Sequence, residues 1–129
     1  RHCANAMAVA EYLNHHSAIA LVNYTGLAHH PDAKTSAKQM RHPGPMMSFE
    51  LKGGLTAGKA FIDKLKMCVR AVSLGTVDTL ISHPASMSHA SVPRPQRLQY
   101  GIGDGLIRMS VGIENLPDIL NDLEQALKP

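Results

Sequence analysis

Apolar positions recur along this chain with two different periods, and each switch between them marks an element. Over residues 1–15, Ala4, Met7, Ala8 and Leu13 fall at helical intervals among strong helix formers, which predicts an amphipathic helix. Residues 19–24 are a short β-prone run closed by Thr25 and Gly26, a strand entering a turn. Pro31 and Asp32 open a second helix that reaches about Met40. The run Arg41-His42-Pro43-Gly44-Pro45 must be a loop, because proline lacks the amide donor and glycine loosens the backbone. The period then changes to two: Met47, Phe49 and Leu51 alternate with Ser48, Glu50 and Lys52, the pattern of a sheet with one covered face. Gly53 and Gly54 end that strand. Ala57, Ala60, Phe61 and Leu65 mark a helix over residues 55–66, and residues 67–72 read as a further strand.

From residue 73 to 102 the regularity falls away, apart from a short apolar piece at Leu80 and Ile81 and a helical turn over residues 95–100. A clear strand follows over residues 105–111. A closing amphipathic helix over residues 116–127 carries Ile119, Leu120, Leu123 and Leu127 on one face. This order predicts an α+β fold, an antiparallel or mixed sheet of about four strands with helices packed on one face, whose other face needs a partner. In the strand over residues 105–111, alternation sets Ile107, Met109 and Val111 under the helices and turns Leu106, Arg108 and Ser110 to the opposite face.

Composition narrows the function classes. A chain of 129 residues suits one domain, and 44% hydrophobic against 18% charged residues excludes disorder. A net charge of +3 spread without clusters, with three Tyr, two Phe and no Trp, argues against a nucleic-acid surface. No apolar run approaches the roughly 20 residues of a membrane span, and the charged, His-containing start does not read as a signal peptide. Cys3 and Cys68 lie far apart and fit a reducing cytoplasm better than a disulfide scaffold. The chain opens at Arg1, without an initiator Met and already in a helical pattern, which reads as a piece of something longer.

Among the polar residues Arg108 weighs most. An arginine between apolar strand neighbours is partly buried and needs an anion, and its planar fork matches a carboxylate. Spacing leaves two readings open, a structural ion pair with Glu50 or another internal acid, and a carboxylate ligand site. The Ser73-Leu74-Gly75-Thr76 turn offers a hydroxyl and a close backbone approach, as many ordinary loops do. His83-Pro84-Ala85-Ser86-Met87-Ser88-His89 is small and polar, like the wall of a cleft. The eight histidines fall as adjacent pairs or as singles on loops, which reads as surface histidine and predicts no metal site. No glycine-rich phosphate loop is present.

Taken together, Ser73-Leu74-Gly75, His83-Pro84-Ala85-Ser86-Met87 and Leu106-Ile107-Arg108-Met109-Ser110-Val111-Gly112-Ile113-Glu114 resemble, in that order, the C-terminal domain of the Cys/Met-metabolism enzymes that depend on pyridoxal phosphate. Leu27, His30-Pro31, Gln39-Met40 and Ser48-Phe49-Glu50-Leu51 extend the resemblance over essentially the whole chain. It implies that residues 1–129 are the small C-terminal domain of a larger enzyme. Its N-terminal domain carries the cofactor's lysine, and its subunits form tetramers of tight dimers. None of Lys34, Lys38, Lys52, Lys59, Lys64, Lys66 or Lys128 sits in the setting of that lysine, which a serine and a threonine precede, so the chain alone is expected to be inactive.

The resemblance also implies roles. Arg108 clamps the substrate α-carboxylate with help from Ser73, Ser88 lies near the same clamp, and Met87 and Val72 wall the cofactor pocket. Val72 stands where relatives that handle cystathionine commonly have glutamate, which tilts the expectation toward a methionine γ-lyase acting on a small sulfur amino acid. Cystathionine γ-lyase, cystathionine γ-synthase or O-acylhomoserine sulfhydrylase activity, or a stand-alone interaction domain, are the other readings. Thr76, Thr25 and Ser88 depart from the family's usual glycine or aspartate, proline and threonine.

Overall fold

In the computed structural model, which describes residues 1–128, the two strands with the clearest alternation lie side by side. β2 (Met46–Leu51) and β5 (Leu106–Ser110) run antiparallel, with Phe49 opposite Ile107 and Ser48 opposite Arg108. β1 (Ile19–Asn23) pairs antiparallel with the outer edge of β2. On the other side of β5 come β4 (Leu80–Ser82), antiparallel to it, and β3 (Val69–Arg70), parallel to β4. The sheet is therefore mixed, five strands in the order β1-β2-β5-β4-β3, where about four were expected.

The additional strand is the short apolar piece around Leu80. All three residues of β4 are buried, so it has no polar face from which an alternation could be read. The strand expected over residues 67–72 shrinks to Val69 and Arg70, because the amides of Lys66, Met67 and Cys68 donate to the Asp122 carboxylate instead of to a neighbouring strand.

One face of the sheet is covered as the pattern required. α1 (His2–Asn14) brings Ala6, Val9 and Leu13, α3 (Gly54–Lys64) brings Phe61 and Ile62, and α5 (Leu116–Leu127) brings Ile119 and Leu123. They close on Val22, Phe49, Ile81, Ile107, Met109 and Val111. Phe49 and Phe61 meet edge to face, centroids 5.8 Å apart at 86°, which fixes how α3 lies across β2. Ile107, Met109 and Val111 are wholly buried, each contributing about 1.5–3 kcal/mol relative to an exposed position.

α2 (Ala33–Gln39) sits in the β1–β2 connection, where the Ser36 hydroxyl donates to Thr25 Oγ1. α4 (Arg94–Gln99) sits in the β4–β5 connection. There the buried Arg97 donates to the Ile102 and Gly103 carbonyls and pairs with Asp104 at 2.7 Å. On the other face of the sheet, register lines up Asn23, Ser48, Arg108 and Ser82 across four strands. No helix among the described residues is long and apolar enough to cross a membrane.

Candidate functional site

Arg108 stands half-buried on the uncovered face, at the centre of the sheet. Its Nη2 donates to the backbone carbonyls of Val72 at 2.6 Å and Ser73 at 2.8 Å. Carbonyls orient a guanidinium without neutralising it. Glu50, opposite Leu106 and so the diagonal neighbour of Arg108 on this face, turns instead to the Gly105 amide, whose N–H it accepts at 2.9 Å. Among the described residues no carboxylate forms an ion pair with Arg108. The internal ion pair that spacing left open is therefore absent, and the Nε and Nη1 hydrogens make no hydrogen bond among the described residues. Such a group has donors and charge to offer an anionic ligand.

The chain bringing those two carbonyls is a strap over residues 72–79 that lies on the end of β5. Its apolar side chains point away from the core: Val72, Leu74 and Val77 are 57%, 56% and 59% exposed. Gly75 adopts φ +80°, a left-handed conformation that favours glycine, and its N–H donates to Ser110 Oγ at 3.0 Å. Ser73 thus touches Arg108 through its carbonyl rather than its hydroxyl.

Residues 83–89 follow directly from β4, beside β5. Met87 is half-buried against the core, and its sulfur accepts the His83 N–H at 3.4 Å. Ser88 is exposed, and its hydroxyl bonds His89 Nδ1 at 2.9 Å rather than Arg108. The structure therefore brings Arg108, Val72 and Ser73 together and holds Met87 and Ser88 on a neighbouring segment.

Of the eight histidines, His83 alone is buried and departs from the surface reading. It is fully buried, with Nε2 on the Asp104 carbonyl and Nδ1 on Ser86 Oγ, each at 2.8 Å. Asp104, which supplies that carbonyl, has its carboxyl held below the usual range by hydrogen bonds from Arg94 and then Arg97. Among the described residues no group of three or more His, Cys, Asp or Glu could hold a metal ion.

A half-buried arginine at the centre of a mixed sheet, oriented by two strap carbonyls and paired with no carboxylate among the described residues, is a candidate site for an anionic group. Comparison with known proteins then gives the family. The model of the Cys/Met metabolism PLP-dependent enzymes matches residues 1–128, and the chain belongs to that family. It is 53% identical over 128 residues to an L-methionine gamma-lyase of Fusobacterium nucleatum subsp. polymorphum, covering 99% of this chain and 32% of that protein. It is 47% identical over 127 residues to a cystathionine beta-lyase of Coxiella burnetii, covering 98% of this chain and 33% of that protein. The solved cystathionine gamma synthase of Xanthomonas oryzae pv. oryzae, in complex with cystathionine, superposes with a TM-score of 0.89 at 48% identity, over 98% of this chain and 33% of that one. The chain thus spans about a third of the length of the relatives it matches.

Pyridoxal phosphate is the family's cofactor, and the described residues alone do not fit it. Every lysine is at least partly exposed, and none lies on the strap or on residues 83–89. What the chain offers is the Arg108 guanidinium on the open face of the sheet, unpaired among the described residues.

Proposed function

We propose that this chain is the substrate-carboxylate-binding C-terminal domain of a larger lyase that depends on pyridoxal phosphate and acts on sulfur amino acids. The reaction we assign is α,γ-elimination of L-methionine, which with one water gives methanethiol, 2-oxobutanoate and ammonia. Arg108 takes the α-carboxylate, assisted by Ser73 from the strap and Ser88 from the neighbouring segment, and Met87 and Val72 form apolar wall beside the cofactor. Bound to the rest of the enzyme, pyridoxal phosphate supplies the electron sink. This chain's own residues orient the substrate, which lowers the barrier by fixing geometry in advance. The larger domain and sister subunits cover the open face around the exposed Val72, Leu74 and Val77.

The observation that carries this reading is the Arg108 guanidinium, oriented by two neutral carbonyls on an open face with no carboxylate partner among the described residues. The match to an L-methionine gamma-lyase at 53% identity supports the substrate, as does the uncharged Val72. The test is Arg108→Ala in the full-length enzyme. Losing a charge-assisted fork should lower kcat/KM for L-methionine by about 100-fold or more, and a value within about threefold of the parent would remove the clamp.

A second reading, a cystathionine-processing enzyme, draws on the superposition with the cystathionine-bound synthase at 48% identity. A panel of L-methionine, L-cystathionine and O-acylhomoserines with the full-length enzyme separates the two. Methanethiol release from methionine as the fastest reaction supports the first, and its absence beside cystathionine turnover the second.

A further inference from the structure

Alternate positions at the end of β5 and just beyond it all fasten the same strap. Arg108 holds the Val72 and Ser73 carbonyls, and Ser110 Oγ accepts the Gly75 N–H at 3.0 Å. The Gly112 N–H donates to Thr79 Oγ1 at 2.9 Å. Glu114 accepts the Thr79 N–H at 2.6 Å on Oε1 and its hydroxyl at 2.9 Å on Oε2. Between them the Ile113 N–H reaches the Val77 carbonyl at 2.8 Å. β5 presents Arg108 and Ser110 to one side, and beyond its end Gly112 and Glu114 bond the segment that runs alongside.

The contact is close enough to select its residues. A Cβ at Gly112 would overlap the Val77 carbonyl oxygen and the Glu114 carboxylate. Thr79 is fully buried and Ser110 nearly so, so neither hydroxyl has water to fall back on. From below, buried Asn5 of α1 donates to the Gly112 carbonyl at 3.1 Å and the Glu114 carbonyl at 2.9 Å, fixing the stretch that carries Glu114.

We propose that Ser110 and Glu114 are positioning residues for the substrate carboxylate. They pin the strap at its middle and its base, and the strap in turn presents the Val72 and Ser73 carbonyls that set the plane of the Arg108 guanidinium. This rests on the reading of Arg108 as the carboxylate ligand. Apart from the Ile113–Val77 and Val69–Thr79 backbone hydrogen bonds at its base, little else holds the strap, since Val72, Leu74 and Val77 contribute almost no packing to the core. Without its polar anchors Arg108 keeps its charge but loses its fixed plane, so the loss falls mainly on binding.

The experiment is a double-mutant cycle in the full-length enzyme with its cofactor. Ser110→Ala and Glu114→Gln are made alone and in the Arg108→Ala background, with kcat and KM measured on L-methionine, or on L-cystathionine if the panel favours it. Each single change should raise KM about five- to twentyfold with kcat within about threefold of the parent, and Ser110→Thr should restore most of the loss. In the Arg108→Ala background neither change should add more than about twofold, because both act through that arginine.

A KM within about twofold of the parent for Ser110→Ala, or an equal loss in both backgrounds, overturns the positioning role while the carboxylate reading stands. An Arg108→Ala enzyme within about threefold of the parent sinks both. If Glu114→Gln gives no folded enzyme, Ser110→Ala, which leaves the strand ladder intact, decides alone.

Discussion

Gly58 on α3 and the His83 imidazole occupy adjoining space with no room for a methyl group between them, since a Cβ on Gly58 would overlap Nε2, Cδ2 and Cε1 of the ring. The ring has nowhere to go. The Asp104 carbonyl only accepts, so Nε2 carries the proton, and Nδ1 accepts from the Ser86 hydroxyl, each at 2.8 Å. Alanine has the better helix propensity by about 1 kcal/mol, but forcing a methyl against a pinned ring costs about 1–3 kcal/mol and also disturbs residues 83–89. We expect Gly58→Ala to lower the urea midpoint. A midpoint at or above the parent's would show that the ring yields.

Asp122 on α5 gathers the amides of Lys66, Met67 and Cys68 at 2.9, 2.9 and 2.7 Å and so holds the turn that enters β3. Burial by itself would raise this carboxyl, but the amides of Cys68, Lys66 and Met67 outweigh it and hold the group below the usual carboxylate range. A carboxyl depressed in the folded state stabilises fully above its unfolded value, about pH 4, and loses that contribution as pH falls through the folded one. Asp122→Asn should therefore cost about 1–3 kcal/mol at neutral pH and less near pH 3. Urea midpoints of parent and variant at both pH values test this, and a gap that does not narrow in acid removes Asp122 from the acid transition.

Much of this frame is written in local pattern. Alternation in residues 105–111 and 47–52 placed Ile107, Met109 and Phe49 inside and Arg108 outside, and the helix over residues 116–127 has the same bounds in the structure. What escaped depends on contacts distant in sequence. β4 is buried on both faces and has no alternation to read. His83 is buried because α3 passes beside it at Gly58, and composition alone treats a loop histidine as solvated. Arg108 Nη2 settles on backbone carbonyls, which no side-chain pattern encodes. Glu114 stood inside the family motif without a role. β5 ends at Ser110 and Glu114 lies in the bend beyond it, so strand alternation gives no signal for its contact with Thr79.

Cys68 and Cys3 are both free thiols in different surroundings. Cys68 is 5% exposed, and burial, followed by the charge of Asp122, pushes its thiol well above the usual range. The thiolate is the reactive form, so Cys68 should resist alkylation while the half-buried Cys3 reacts. Iodoacetamide at pH 8, followed by peptide mass spectrometry, should find Cys3 modified first and Cys68 only after denaturant is added. Equal rates in the native protein would mean that the turn held by Asp122 opens freely.

Val72 offers Arg108 its carbonyl while its side chain stays 57% exposed, so substitution there alters the cleft without disturbing the core. A glutamate at this position has two opposed effects. Its carboxylate competes with the substrate carboxylate for Arg108, which weakens any amino acid, and it attracts a distal ammonium group, which helps only a substrate that has one. Methionine suffers the first effect alone, whereas cystathionine receives both. We therefore expect Val72→Glu to raise the ratio of kcat/KM for L-cystathionine over L-methionine by about three- to tenfold, the size of one partly solvated charge pair together with the competition. Val72→Gln, close in size but neutral, should leave the ratio near the parent's. An unchanged ratio in the glutamate variant, or an equal shift with glutamine, would remove charge at position 72 from the choice of substrate.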